Sequence, residues 1–104
     1  MLDYLVAEAL ERRKIFQNLN VYLEKLKEMV LRVDPHAEIY LFGSVAENRY
    51  NYSSDIDILV VCEADRRKLL KVLAEEDFMK VFQLHVRRPK ETNWYKRMTR
   101  LVRI

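Results

Sequence analysis

A chain of 104 residues, 50% hydrophobic and 34% charged, has the size and composition of a single globular domain. A formal charge of +3 excludes a strongly basic nucleic-acid-binding protein, and no apolar run approaches the roughly 20 residues that a membrane span needs. The single cysteine, Cys62, cannot form an internal disulfide and is expected in the core, which favours a cytoplasmic location.

The first third of the chain carries the spacing of an amphipathic helix. Between residues 2 and 33, apolar side chains recur every three or four positions from Phe16 onward, and no Gly or Pro occurs before Pro35. The charged residues 11–14 interrupt this stripe, so the pattern fits one long helix or two shorter ones. The helical segment ends at Asp34, because a residue that precedes proline avoids helical backbone.

Two short apolar segments rich in β-branched and aromatic residues come next. The second segment is apolar on both faces after Asp57, which is typical of a strand buried on both sides. The predicted elements are a strand over Glu38–Phe42, a turn at Gly43 and Ser44, a short helix over Val45–Arg49, a loop over Tyr50–Ser54 and a strand over Asp55–Cys62.

The remainder of the chain predicts a helix, a strand and a second helix. Asp65 is placed to cap a helix over Arg66–Glu76, and Phe78–Val86 reads as a third strand. This order of elements predicts an α/β fold in which a small mixed β-sheet is flanked by helices. A terminal helix is predicted over Glu91–Val102, packed through Trp94, Tyr95, Met98, Leu101 and Val102.

Two carboxylates stand at the start of the second predicted strand. Alternate side chains of a strand share one face, so Asp55 and Asp57 point the same way with carbons roughly 6.5–7 Å apart. At this spacing both carboxylates can bind one divalent cation. Gly43, the only glycine, lies in the turn that faces them. It either supplies a positive φ for a tight turn or lets the backbone approach a phosphate.

The turn and the acid pair form one motif with a defined spacing. The motif consists of Phe42-Gly43-Ser44, a spacer of ten residues and Asp55-Ile56-Asp57-Ile58. It resembles the signature of the minimal nucleotidyltransferases of the DNA polymerase β superfamily, and the resemblance covers essentially the whole chain. The resemblance implies the palm-like fold of that superfamily.

The resemblance also implies an activity and a set of site residues. The activity is transfer of a nucleoside monophosphate, AMP from ATP, to a hydroxyl group. Gly43 and Ser44 would bind the triphosphate, and Asp55 and Asp57 would be the catalytic residues that bind Mg²⁺. Arg49, in the spacer, either reaches a phosphate or is a solvated surface charge.

The family that the chain resembles also uses a third carboxylate, on a later strand, as a metal ligand and a base. The matching position here is Gln83, whose amide cannot accept a proton at neutral pH. His85 lies two residues further along the same face. It either acts as base or ligand or forms an ordinary hydrogen bond at the sheet edge. Nucleotide and metal binding are therefore the expected properties, and turnover stays open.

Many stand-alone members of this family are antitoxins that bind a small helical toxin called HEPN, and some add AMP to a tyrosine of that toxin. The resemblance therefore implies a HEPN-type protein partner, while the oligomeric state is left open. Two alternatives remain: a nucleotide-binding module that neutralises a toxin by contact alone, and an RNA-binding protein. The basic residues near the C-terminus that would serve an RNA or protein partner are Arg87, Arg88, Lys90, Lys96, Arg97, Arg100 and Arg103.

Overall fold

The N-terminal helical segment is divided into two helices in a computed structural model of the chain, which describes residues 2–104. Helix α1 spans Leu2–Gln17 and helix α2 spans Leu19–Val33. Asn18 separates them: its backbone is non-helical (φ −123°, ψ 35°), and its side-chain amide donates to the Lys14 carbonyl at 2.8 Å. Most of α1 is exposed, whereas α2 buries an apolar stripe that consists of Tyr22, Leu23, Leu26 and Val30.

A four-stranded mixed sheet forms the centre of the fold, as predicted. Strands β2 and β3 are parallel, and helix α4 (Arg66–Leu73) connects them; the two other strand pairs are antiparallel. The sheet has the order β3-β2-β1-β4, and its strands are β1 (Glu38–Phe42), β2 (Ile56–Val61), β3 (Phe82–Arg87) and β4 (Val102–Arg103).

The two faces of β2 pack against different partners. Ile58 and its alternate neighbours belong to the large core that also contains the buried residues of α2 and α4. Leu59 belongs to a smaller cluster on the opposite face, with Phe42 and with Tyr95 of helix α5 (Asn93–Met98). Burial on both faces is therefore confirmed. Asp57 lies on the second face, because strand side chains alternate.

The third predicted strand begins later than expected. Residues Asp77–Val81 form a 3₁₀ helix, and only Phe82–Arg87 is extended. Phe78 and Met79 are consecutive and both pack into the large core, whereas in a strand they would point to opposite faces of the sheet. A single 3₁₀ turn points both side chains into the core. The prediction of a strand from Phe78 was therefore wrong.

The predicted terminal helix over Glu91–Val102 was also wrong in length and packing. A 3₁₀ turn over Pro89–Glu91 precedes the short helix α5, and the chain is extended again at Thr99 (φ −148°, ψ 159°). It then forms β4, which pairs with the free edge of β1 and satisfies backbone groups there. Of the expected packing residues Tyr95 is buried, whereas Trp94 and Met98 are exposed.

Other predicted boundaries shift by a few residues. The helix after the glycine turn is α3, Gly43–Ala46, instead of Val45–Arg49, and α4 ends at Leu73 instead of Glu76. The cap predicted at Asp65 is confirmed, since its carboxylate accepts from the Arg67 amide at 3.0 Å. No helix within residues 2–104 combines the length and apolar character needed to cross a membrane.

Candidate active site

Asp57 lies where three strands run side by side. Its register partners are Phe42 on the antiparallel strand β1 and Gln83 on the parallel strand β3. Residues that are directly opposite in neighbouring strands share a face, so the side chains of these residues lie together. Gly43 follows Phe42 in the chain, and the register therefore brings the glycine turn against Asp57.

Gly43 has the positive φ of a tight turn, the first of the two alternatives that the sequence left open. Its φ is +77°, a value that favours glycine, and its backbone lies directly against the Asp57 side chain. A Cβ added at Gly43 would fall well inside contact distance of Asp57 Oδ2 and 3.2 Å from Cγ. The half-buried Ser44 follows, and its carbonyl accepts from the Arg49 amide at 2.8 Å. The turn thus presents bare backbone beside a carboxylate.

The acid pair occupies the mouth of β2, with Asp55 just before the first strand residue, Ile56. The Asp57 side chain is 24% exposed and that of Asp55 is 62% exposed. Burial raises the pKa of Asp57; His85 opposes this shift, and the negative charge of Asp55 adds to it. The two carboxylates are therefore close enough to repel each other. A cation between them would relieve that repulsion.

Two polar residues of β3 lie on the same face as Asp57, with Gln83 directly beside it and His85 two residues further along. Gln83 is exposed and lies beside Asp57 in the sheet register. His85 Nε2 is 4.0 Å from Asp57 Oδ1, and His85 Nδ1 is 3.0 Å from the Tyr95 hydroxyl. Burial lowers the pKa of His85, which favours the neutral ring, and the negative charge of Asp57 opposes this shift.

Arg49 is paired with an acidic residue of its own segment. Its guanidinium forms an ion pair with Glu47 Oε2 at 2.9 Å, and the Arg49 side chain is largely exposed. Among residues 2–104, no three His, Cys, Asp or Glu side chains form a group that could hold a metal ion. The site therefore offers two carboxylates, the neighbouring side-chain amide of Gln83 and the imidazole of His85.

Two residues beside the site were not identified from the sequence as site residues. Tyr95 was expected only as a packing residue, yet its hydroxyl is the hydrogen-bond partner of His85. Arg12, noted only as part of a charged run, lies 3.9 Å from Asp55 Oδ1 through its Nη2 atom. Both contacts join distant parts of the chain, so no local pattern indicates them. Arg12 is largely buried because the loop that contains Tyr52 packs against α1, a contact that the local sequence of the helix does not indicate.

The sequence that forms this site matches one protein-family model. Residues 21–102 match the model described as a nucleotidyltransferase domain, a span that includes Gly43, Asp57 and Gln83. The chain belongs to the nucleotidyltransferase domain family, which confirms the resemblance to minimal nucleotidyltransferases and supports a general role in nucleotidyl transfer. The comparisons with curated proteins and with solved structures gave no match.

The contact between Gly43 and Asp57 can be tested by a double-mutant cycle. Gly43→Ala should lower the free energy of unfolding by about 2–5 kcal/mol, from strain at positive φ together with the clash against Asp57. In an Asp57→Ala background the clash with the carboxylate is absent and only the 3.3 Å contact with the Cβ of residue 57 remains, so the cost of Gly43→Ala should fall to about 1–2 kcal/mol. Urea unfolding of the four proteins measures both costs. Equal costs in the two backgrounds would show that the methyl group added at position 43 does not contact the Asp57 carboxylate.

Proposed function

We propose that the protein is a Mg²⁺-dependent nucleotidyltransferase that transfers AMP from ATP to a hydroxyl group of a protein partner. We further propose that it is the antitoxin of a pair whose toxin is a HEPN-type protein. In the reaction the acceptor oxygen bonds to the α-phosphorus of ATP, pyrophosphate leaves, and the hydroxyl proton passes to a base. Family membership supports nucleotidyl transfer as the class of reaction, whereas ATP, Mg²⁺ and the protein acceptor are proposed.

The observation that carries the proposal is the contact between the Gly43 backbone and the Asp57 carboxylate. A glycine with positive φ places bare backbone of the turn against the Asp57 carboxylate. A triphosphate bound along Gly43 and Ser44 would therefore lie next to the acid pair. The Ser44 hydroxyl can donate a hydrogen bond to a phosphate oxygen.

The donor atoms around Asp57 fit Mg²⁺. Asp55 and Asp57 offer carboxylate oxygens and Gln83 an amide oxygen, the oxygen ligands that this ion prefers in combination with phosphate and water. Asp55 and Asp57 would hold the ion, and the charge repulsion between them supports a cation at this place. When bound, Mg²⁺ would neutralise the negative charge that develops on the reacting phosphate.

We propose that His85 is the general base that accepts the proton of the acceptor hydroxyl. Gln83 lies where the family pattern calls for a carboxylate, and an amide cannot accept the proton. The neutral imidazole of His85 can accept it, and the Tyr95 hydroxyl fixes the orientation of the ring. The ring also lies edge-on to Phe42, with centroids 5.0 Å apart. A ring held this way keeps Nε2 on the side of Asp57.

A protein partner is supported by the apolar side chains that the chain leaves exposed. Leu5, Val6 and Leu10 are exposed on α1, and Trp94 and Met98 are exposed on α5. Helix α5 covers the same sheet face as the acid pair, because Tyr95 packs against Phe42. Exposed apolar groups of this kind often mark contact surfaces.

A second candidate function is neutralisation of the toxin by contact alone. Gln83 favours it, since the described residues contain no third carboxylate beside Asp55 and Asp57. The RNA-binding alternative is favoured by the exposed Trp94, which stands beside the basic residues Lys96 and Arg97.

Labelled ATP tests the proposed reaction. The protein, Mg²⁺ and the product of the neighbouring gene should yield a partner labelled from ATP carrying label on the α-phosphate. ATP labelled on the γ-phosphate should give none, because pyrophosphate leaves. Asp57→Asn, which removes a metal ligand, should reduce labelling about a hundredfold or more. Asp65→Asn is the matched control, since Asn caps α4 equally well and Asp65 lies outside the acid pair.

The same experiment separates the alternatives. A tight complex without label transfer would contradict the enzyme and support neutralisation by contact. No complex, with RNA binding that weakens steeply with salt and is lost in an Arg97→Ala, Arg100→Ala variant, would support the RNA-binding protein.

The amide at position 83 gives a second prediction. Gln83→Glu places a third carboxylate beside Asp57, so the protein should bind Mg²⁺ about tenfold more tightly. Without metal the added charge should lower the melting temperature, because it repels Asp57. Thermal unfolding against Mg²⁺ concentration measures both effects.

The chain supplies a matched control for this variant. Gln17, exposed at the end of α1, can be changed to Glu with the same change in charge. Gln17→Glu should leave the response to Mg²⁺ as in the wild type. An equal response in the two variants would contradict metal binding next to Gln83.

A further inference from the structure

Arg12 connects α1 to the loop that leads into the acid pair. Its Nε donates to the Tyr52 carbonyl at 2.6 Å, and its Nη2 donates to the Ser54 carbonyl. The same Nη2 atom lies 3.9 Å from Asp55 Oδ1, and the Arg12 side chain is only 18% exposed. A single guanidinium thus approaches Tyr52, Ser54 and Asp55, three residues of one short segment.

Phe16 holds the same loop one helical turn further along α1. Its ring stacks on Tyr50 with centroids 5.2 Å apart and on Tyr52 with centroids 5.5 Å apart. Phe16 is itself buried, so these contacts fix the loop to a rigid part of the fold. The C-terminal half of α1 therefore defines the path of the backbone from Tyr50 to Asp55.

The contact between Arg12 and Asp55 differs from a closed salt bridge. At 3.9 Å the two atoms are beyond hydrogen-bond distance, and the donors of Arg12 are directed to backbone carbonyls. The Asp55 carboxylate is 62% exposed, so its oxygens stay open to a ligand. The guanidinium orients the carboxylate through the backbone without occupying it.

We propose that Arg12 is a positioning residue of the active site, which fixes the loop over Tyr50–Ser54 and so holds Asp55 in place to bind Mg²⁺ with the nucleotide. The inference rests on the proposed function, and it extends the site to a helix that precedes the span matched by the family model, residues 21–102. Helix α1 is then part of the site, through its contacts with the segment that leads to Asp55.

Arg12 donates from two different nitrogen atoms of its guanidinium, which allows its role to be tested by substitution. Lysine keeps the charge but presents a compact ammonium that cannot reproduce the two directed bonds to Tyr52 and Ser54. Arg12→Lys and Arg12→Gln should therefore weaken binding of Mg²⁺·ATP similarly, by about tenfold, as measured by titration calorimetry. Arg13→Gln, an exposed neighbour on the same helix, is the matched control and should leave the affinity unchanged.

Hydrogen exchange on the full chain supplies a readout that does not depend on nucleotide. The amides of Ser53 and Ser54, which donate to the Asn51 side chain and carbonyl, should exchange about tenfold faster in both Arg12 variants. Exchange at Leu59, in the buried strand, should not change. That pattern would separate loss of loop positioning from general unfolding.

Each outcome supports or overturns the inference. Full affinity and normal loop exchange in Arg12→Lys would overturn it, because charge alone would then be sufficient. Tighter binding of Mg²⁺·ATP in Arg12→Gln would overturn it as well, since Arg12 would then be a competitor of the metal. If the wild type itself fails to bind Mg²⁺·ATP, the proposed function fails. The exchange rates of Ser53 and Ser54 would still decide whether Arg12 fixes the loop.

Discussion

The close approach of the Gly43 backbone to the Asp57 side chain is the constraint on which the rest of the site depends. It requires that β1 end where β2 begins, and the antiparallel pairing of Phe42 with Asp57 provides this. It also requires a residue without a side chain at the end of β1. Any other residue there would displace the carboxylate or strain the turn. The only glycine among the 104 residues therefore occupies the position where a side chain would clash with Asp57.

The surroundings of Asp57 show how a carboxylate is kept at the end of a buried strand. One face of β2 is fully covered by α2 and α4, and Ile58 and Val60 are completely buried there. The other face is covered by α5 through Tyr95, and this cover leaves the Asp57 end partly open. Burial raises the pKa of Asp57, which means that the ionised form carries an energetic cost in the fold. Such a cost at a strand mouth is typical of a binding site.

The parts of the fold that the sequence predicted well are those with local signals. The bounds of β1 were predicted as Glu38–Phe42 and found so, and the Asp65 cap and burial on both faces of β2 were correct. These features depend on neighbours in the chain, where turn residues and periodicity carry the information.

The parts that sequence reasoning missed depend on contacts between distant segments. Strand β4 exists because β1 has a free edge to be paired, and nothing within residues 102–103 indicates that edge. The 3₁₀ turn before β3 directs both Phe78 and Met79 into the same core, which a strand could not do. Arg12 lies about forty residues from the loop that it holds, so its charged run looked like an interruption of a helical stripe.

A crystal structure of the protein soaked with Mg²⁺ and a non-hydrolysable ATP analogue tests the central claim most directly. We expect a metal ion bound by both Asp55 and Asp57, with the triphosphate lying along Gly43 and Ser44. The Gln83 side chain should lie at the edge of the metal site, beside Asp57. A nucleotide bound elsewhere, or a metal bound without either aspartate, would contradict the proposed site.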